Sequence, residues 1–242
     1  MAQFHVLSGA CHLSTATSDA DLFNLLKSEL YTAVVGDVMD AMGLRRQFLA
    51  QAIQPLKTDM MIAGRAMPVL EADIFDEGRD TSPGPLAQKP FGLMFEALDD
   101  LKTGEIYIAT GASLNYALFG ELMATRAQHL GAAGAILDGY IRDTRGIEAL
   151  DLPIFSRGLY AQDQGVRGKV IDYRCAVEIG GVRIEPGDLL FGDREGVLVI
   201  PRAAERDVID AALTKANTEG EVEKAIKAGM GACEAFEKFG VF

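Results

Sequence analysis

Apolar positions recur along the chain with two periods, and the switches between them predict its elements. Leu22, Leu25, Leu26 and Leu30 repeat at three and four residues, the stripe of an amphipathic helix. Ser18 is placed to cap it, with Asp21 three residues on. Thr32–Val35 is a short β-branched patch. Gly36–Met42 reads as a second helix closed by Gly43, with Asp37 and Asp40 as capping and solvent-facing residues. Met60–Leu70 has strand character, interrupted at Gly64-Arg65 and Pro68. Asp73–Pro90 is acidic and rich in Gly and Pro, so a long loop is expected there, near a pocket mouth or a subunit contact. Phe91–Leu101 follows as a helix with Leu93, Met94, Ala97, Leu98 and Leu101 inward, and Ile106–Ala109 as a buried strand.

The stretch Gly120–Asp143 organises what comes next. Helix formers follow Gly120, and Gly131 can end the helix in the left-handed conformation. Ala132–Leu137, short, apolar and bounded by Gly131 and Asp138-Gly139, reads as a covered strand. A turn then presents Arg142 and Asp143 together. After a helix to about Leu150 the texture changes to strands at Pro153–Ser156, Lys169–Arg174, Ala176–Ile179, Val182–Ile184, Leu189–Gly192 and Val197–Ile200. Gly180-Gly181 forms a hairpin turn. A helical tail over Ala203–Phe239 breaks near Gly229–Gly231. Helix–strand alternation, then strands, then helices defines an α/β chain of layered sheets, read as a single domain over residues 1–242.

Composition narrows the function classes. A 49% hydrophobic content supports a sizeable core, and a net charge of -12 argues against nucleic-acid binding, which wants a basic footprint. Cys11, Cys175 and Cys233 lie far apart, show no metal-binding spacing and read as small apolar fillers in a reducing compartment. No apolar run is long enough to span a membrane, and the first residues lack the pattern of a signal peptide. The expectation is a cytoplasmic protein.

The candidate chemistry lies in the central stretch. The first amides after Gly120 have no acceptor within their own helix, which makes a helix start a ready anion site. A strand returning after that helix brings Arg142 and Asp143 back toward it. A guanidinium, a carboxylate and free amides around one pocket suit a small carboxylated substrate and a hard metal ion. An isolated Arg-Asp pair would be an ordinary surface ion pair of little energetic consequence. Gly120-Glu121, then twenty residues, then Arg142-Asp143 is a more specific pattern.

That pattern, with Gly36–Gly43 and Gly192–Val197, resembles the family uniting class II 4-hydroxy-4-methyl-2-oxoglutarate aldolases with the regulator of ribonuclease activity A. The resemblance runs from about Leu22 to Phe239. It implies a three-layer β/β/α swivelling-domain fold with C-terminal helices, assembled as a homotrimer or homohexamer with active sites between subunits. It also implies that Asp143 is the metal ligand and Arg142 the holder of the substrate's carboxylate. The backbone of Gly120, Glu121, Leu122 and Met123 would complete the pocket. The aldolases usually carry Asp where this chain has Glu121, which keeps the charge and lengthens the arm. Glu219, after Thr218, best matches a glutamate that approaches the metal from a neighbouring subunit; it can equally decorate a solvated helix face with Glu221, Glu223 and Lys224.

Cleaving a carbon–carbon bond beside a 2-keto acid builds an enolate, stabilised by a Schiff-base lysine or by a Lewis-acid metal. No lysine falls between Lys102 and Lys169, so the stretch does not suggest the first route. One Asp without clustered His or Cys suits Mg2+ or Mn2+. Glu121 is a candidate base, and aldol cleavage and oxaloacetate decarboxylation share the same pocket logic. Asn115 and Tyr116 could reach the substrate, whereas His129 reads as a helix-end contact. The alternative from another class is a non-catalytic protein that binds a ribonuclease. A methyltransferase finds no glycine-rich nucleotide loop to support it.

Overall fold

The structure, a computed structural model, describes residues 18–75 and 84–241. Its first elements are α1 (Asp19–Glu29), α2 (Thr32–Ala41), β1 (Gln54–Pro55), β2 (Ile62–Asp73), α3 (Met94–Asp99), β3 (Glu105–Thr110), β4 (Ala117–Phe119), α4 (Glu121–His129) and β5 (Gly134–Ile141). Then come α5 (Thr144–Ile147), β6 (Ile154–Leu159), β7 (Gly168–Tyr173), β8 (Val177–Ile179), β9 (Val182–Ile184), β10 (Leu189–Asp193), β11 (Gly196–Ile200), α6 (Glu205–Lys227) and α7 (Ala232–Phe239). They form two compact units, one of Arg46–Arg202 and one joining the residues before it to those from Ala203 onward.

The helical unit holds α1, α2, α6 and α7. Ser18 caps α1 as expected, its hydroxyl accepting from the Asp21 amide at 3.2 Å. The second helix starts earlier than the β-branched patch suggested. Val34, Val35, Val38 and Met39 are all buried, and they share one helical face that crosses the supposed boundary. Burial of that face outweighs the weak helix propensity of Thr and Val. Asp37 therefore sits inside α2 rather than capping it, 3.3 Å from the Lys215 ammonium of α6. The tail breaks where glycine predicts, between Lys227 and Ala232.

The larger unit is built on a nine-stranded mixed sheet with the path β1-β6-β5-β3-β2-β10-β11; β4 also pairs with β5 and β7 with β2. Strands β2, β3, β5 and β6 are parallel neighbours, and β4 joins β5 in the same sense. Alternation along each strand divides the core. Met67, Val69, Tyr107, Ala109, Ala135 and Leu137 face α3 and α4, burying Met94, Ala97, Leu98, Ala124 and Ala127. Ala66, Ile106, Ile108, Ile136 and Phe155 face the other way, against Val177, Ile179, Val182 and Ile184 of the β8–β9 hairpin. Helices, large sheet and small sheet make three layers.

Three interruptions read from the sequence are absent. The second strand runs through Gly64 and Pro68 because the proline falls in a seam. Antiparallel pairing with β10 covers Ile62–Arg65 and pairing with β7 begins at Val69, so Pro68 lies in neither ladder. The fifth strand passes through Asp138-Gly139 to Ile141. Its partner changes there from β3, which it follows to Leu137, to β4, which it meets at Tyr140. Two helices are shorter than periodicity suggests, α3 spanning six residues and α5 four.

Candidate active site

The two halves of the central motif meet at the carboxyl ends of parallel strands, where open α/β sheets place their ligands. The strand β4 leads into Gly120 and α4; β5, beside it, leads into Arg142, Asp143 and α5. The Arg142 amide donates to the Phe119 carbonyl at 3.0 Å, lashing the Arg-Asp pair to the residue before Gly120. The twenty-residue spacing is thus one helical crossover. In α4 the Ala124 amide bonds the Gly120 carbonyl at 3.0 Å, while the amides of Glu121, Leu122 and Met123 precede the first intrahelical bond.

Asp143 occupies the left-handed region at φ 57°, which L-residues seldom adopt and Asp tolerates better than most. Such strain persists only where the surroundings hold it, and it recurs at functional sites. A Cβ on residue 120 would stand 2.8 Å from Asp143 Oδ2 and 3.4 Å from Arg142 Cγ, so glycine is what lets the two segments close. Arg142 Nε lies 3.5 Å from Asp143 Oδ2, and Arg142 Nη1 lies 3.1 Å from Asp163 Oδ1. With Arg142 and Asp143 side chains 38% and 47% exposed, both are open to a small molecule.

Glu121 turns its longer arm onto α5. Its carboxyl group packs on Gly146, where an added Cβ would fall 2.1 Å from Glu121 Cδ. A metal would find one half-exposed carboxylate, Asp143, facing amides and a guanidinium. Among the described residues no group of three or more His, Cys, Asp or Glu is placed to hold an ion. That donor set fits a hard cation keeping most of its waters, and does not fit a structural zinc.

The structure brings Gly120, Glu121, Leu122, Met123, Arg142 and Asp143 together. Glu219 belongs to α6 of the helical unit, where its carboxylate accepts from the Tyr31 hydroxyl and the Lys215 ammonium. Burial pushes its pKa up, but those two bonds outweigh it and the net shift is downward. Tyr116 is buried with its hydroxyl donating to Asp73 Oδ1 at 2.9 Å, and Asn115 donates to Ser113 Oγ at 3.0 Å. His129 is exposed in the last turn of α4. Of the expected loop over residues 73–90, residues 76–83 lie outside the described part, Asp73 ends β2, and Lys169 anchors the Leu86 and Ala87 carbonyls at 2.7 and 3.2 Å. Cys233 is exposed on α7 and fills no core, Cys175 is partly buried, and Cys11 lies outside the described residues.

Sequence reasoning missed Asp163 and the group behind it. The segment after β6 carries no periodic signal. Yet Asp163 pairs with Arg142, and next to it Gln164 donates to buried Glu71 at 2.8 Å. Burial, reinforced by the Asp73 charge, pushes the Glu71 carboxyl up to about 8. A second polar cluster, Thr110, Asp138 and Arg157, lies toward the same edge, Arg157 Nε donating to Asp138 at 2.6 Å and Thr110 at 2.9 Å.

Fold and site together define an α/β protein whose candidate site lies at a parallel-strand edge. The chain belongs to the RraA-like family, whose Aldolase/RraA description matches residues 32–199. It is 31% identical over 206 residues, 85% of this chain and 89% of the other, to a Halalkalibacterium halodurans protein named "Putative 4-hydroxy-4-methyl-2-oxoglutarate aldolase". It is 27% identical over 209 residues to Legionella pneumophila protein DlpA, covering 86% of this chain and 32% of that one. Among solved structures it resembles Streptomyces coelicolor RraAS2, described as an unusual member of the RNase ES inhibitor RraA protein family. That match has a TM-score of 0.72 at 21% identity over 85% of this chain and 97% of the other. An uncharacterized Pseudomonas syringae protein also matches with a TM-score of 0.72, at 22% identity over 89% and 96% of the two chains. Likeness at that identity is of fold.

Proposed function

We propose that this protein is a divalent-metal-dependent carbon–carbon lyase acting on pyruvate-containing 2-keto acids, as an aldolase, an oxaloacetate decarboxylase or both. The observation that carries the reading is the closure of Arg142 and Asp143 against the α4 start, with Gly120 leaving the room between them. The aldolase name of the Halalkalibacterium relative supports the same class.

Arg142 binds the substrate's carboxylate through its planar fork. The amides of Gly120, Glu121, Leu122 and Met123 face the substrate from the opposite wall and stabilise negative charge there. Asp143 would hold Mg2+ or Mn2+, and the bound ion would supply Lewis acidity to the reaction. Glu121, braced on Gly146, accepts the proton of a 4-hydroxyl group. Decarboxylation needs no such proton transfer, so the same pocket serves both substrates. In a homotrimer or homohexamer, Glu219 of a neighbouring copy reaches the site as a further proton carrier. A cytoplasmic setting fits the ordinary availability of both keto acids and magnesium.

The test is pyruvate release from oxaloacetate and from 4-hydroxy-4-methyl-2-oxoglutarate, for wild type and Asp143→Ala, with magnesium and with chelator. Activity that needs both magnesium and Asp143 is expected. A wild type inactive on both at saturating magnesium sinks the lyase reading, and co-precipitation with a ribonuclease would then test the alternative.

A further inference from the structure

The segment Tyr160–Arg167 has no helix or strand of its own, yet it is pinned at several points. The Tyr160 amide donates to the Ile141 carbonyl at 2.9 Å, and the Gln162 carbonyl accepts from Ala117 at 2.8 Å. The Gln164 carbonyl accepts from the amides of Arg167 and Gly168 at 2.6 and 3.1 Å. These bonds tie the segment to β5 and to the start of β4, the strands that carry Gly120 and Arg142. Asp163 sits between them. Its Oδ2 accepts from the Gly165 amide at 3.0 Å, which turns Oδ1 toward Arg142 at 3.1 Å.

The remaining pin comes from the core. Gln164 is only 3% exposed, and its side-chain amide donates to Oε2 of Glu71, itself 2% exposed, at 2.8 Å. Glu71 stands on the helix-facing side of β2, among Tyr107 of β3, Tyr116 ahead of β4, and Asp73 two residues along its own strand. Glu71 Oε1 and the Tyr107 hydroxyl are buried without a hydrogen-bond partner among the described residues. A carboxyl group so enclosed and half satisfied is costly, and a leucine there would serve the core better. The hydrogen bond it makes among the described residues goes to Gln164, beside Asp163.

We infer that Glu71 and Asp163 are positioning residues for Arg142: the buried Glu71–Gln164 bond fixes the segment after β6, and Asp163 on that segment fixes the plane of the guanidinium. This rests on the reading that Arg142 receives a substrate carboxylate. An arginine fork works only when its plane is set beforehand, because two hydrogen bonds must form at once. Asp143 Oδ2 lies 3.5 Å from Nε and Asp163 Oδ1 3.1 Å from Nη1, so carboxylates flank the guanidinium on two sides. Burial keeps Glu71 protonated at neutral pH, so Gln is its close mimic at that position.

The experiment compares wild type, Glu71→Gln, Glu71→Leu and Asp163→Asn at pH 7 with magnesium. Three quantities are measured: hydrogen exchange over residues 160–168, calorimetric binding of oxalate, and the kcat and KM for oxaloacetate. Glu71→Leu is expected to speed exchange over 160–168 at least tenfold, weaken oxalate about tenfold and raise KM similarly, with kcat within threefold. Glu71→Gln should restore all three, and Asp163→Asn should weaken oxalate and raise KM without changing exchange at Gly168. Glu71→Leu with exchange, binding and KM like wild type overturns the inference. So does faster exchange with unchanged binding, or failure of Glu71→Gln to restore wild-type behaviour. If wild type itself neither binds oxalate nor releases pyruvate, the reading of Arg142 falls and takes the inference with it. A working wild type with indifferent variants defeats the inference alone.

Discussion

Gly120 is the residue at which sequence choice and site geometry meet most directly. Its backbone is extended at φ -136°, so conformation alone does not demand glycine; the 2.8 Å approach of Asp143 Oδ2 does. Gly120→Ala is therefore expected to push Asp143 aside and lower magnesium affinity at least tenfold. The thermal midpoint should stay within a few degrees, since the displaced carboxylate is half exposed. Titration of magnesium into wild type and variant checks this, and equal affinities would refute it. Arg142→Lys tests the fork. Loss of a charge-assisted bidentate contact costs about 2–3 kcal/mol, which predicts a KM for oxaloacetate raised ~30- to 150-fold. At this scale the central pattern was legible: Gly120, Arg142 and Asp143 stand where their spacing predicts. Asp163 was not, because its role depends on a turn whose bonds cross from β6 to β4.

At the scale of elements, the sheet explains how the pattern is held. The first turn of α4 faces the site because β4 and β5 run parallel, which puts the start of α4 and the end of β5 at one edge, and the Arg142–Phe119 bond ends that ladder. Arg174 ties a second junction. It stands in the left-handed region at φ 53° just past β7, and its guanidinium forks onto Glu105 Oε1 and Oε2 at 2.7 and 2.8 Å. It also reaches the Asp100 carbonyl at 2.8 Å and the Asp100 carboxylate, joining the end of α3 to the start of β3. Those partners hold Arg174 firmly protonated, the Glu105 bond chief among them. Arg174→Ala is expected to cost about 2 kcal/mol in urea unfolding, with Glu105→Ala, once Arg174 is gone, costing only the further bond that the Glu105 carboxylate accepts from the Lys102 amide. Full additivity of the two would show that the fork is not coupled. The elements were legible where periodicity was local, as in α1, the β8–β9 hairpin and the glycine break before α7. They were misjudged where a partner decides: Pro68 is tolerated because β10 ends and β7 begins around it, and Asp138-Gly139 stays in β5 because β4 takes over from β3.

For the whole molecule, the buried carboxyl of Glu71 makes stability depend on pH. Unfolded, it ionises near 4.5; folded, burial and the Asp73 charge keep its proton to about pH 8. Between those values the folded state binds the extra proton, so this group's contribution is full below about pH 4.5 and declines as pH rises toward 8. The decline approaches ~1.4 kcal/mol per pH unit. Glu71→Gln stays neutral throughout, so its thermal midpoint should fall less between pH 5 and 8 than that of wild type. Parallel falls would place the Glu71 carboxyl in the ordinary range.

Local pattern by itself determined a mixed α/β chain, the start and end of the central crossover, and the pairing of Arg142 with Asp143, because each depends on neighbours within one helix or one turn. It also carried the family, through the Gly120-Glu121 to Arg142-Asp143 spacing, and residues 32–199 bear that out. Only the tertiary structure decided which strands lie side by side, and with that which distant residues meet. Glu71 and Gln164 are 93 positions apart, yet they share a buried bond because the segment carrying Gln164 runs into β7, which pairs with β2 at Glu71. A buried carboxyl and a loop aspartate look ordinary in a sequence, since their meaning comes from strand order, and strand order is settled by packing both faces of the sheet at once.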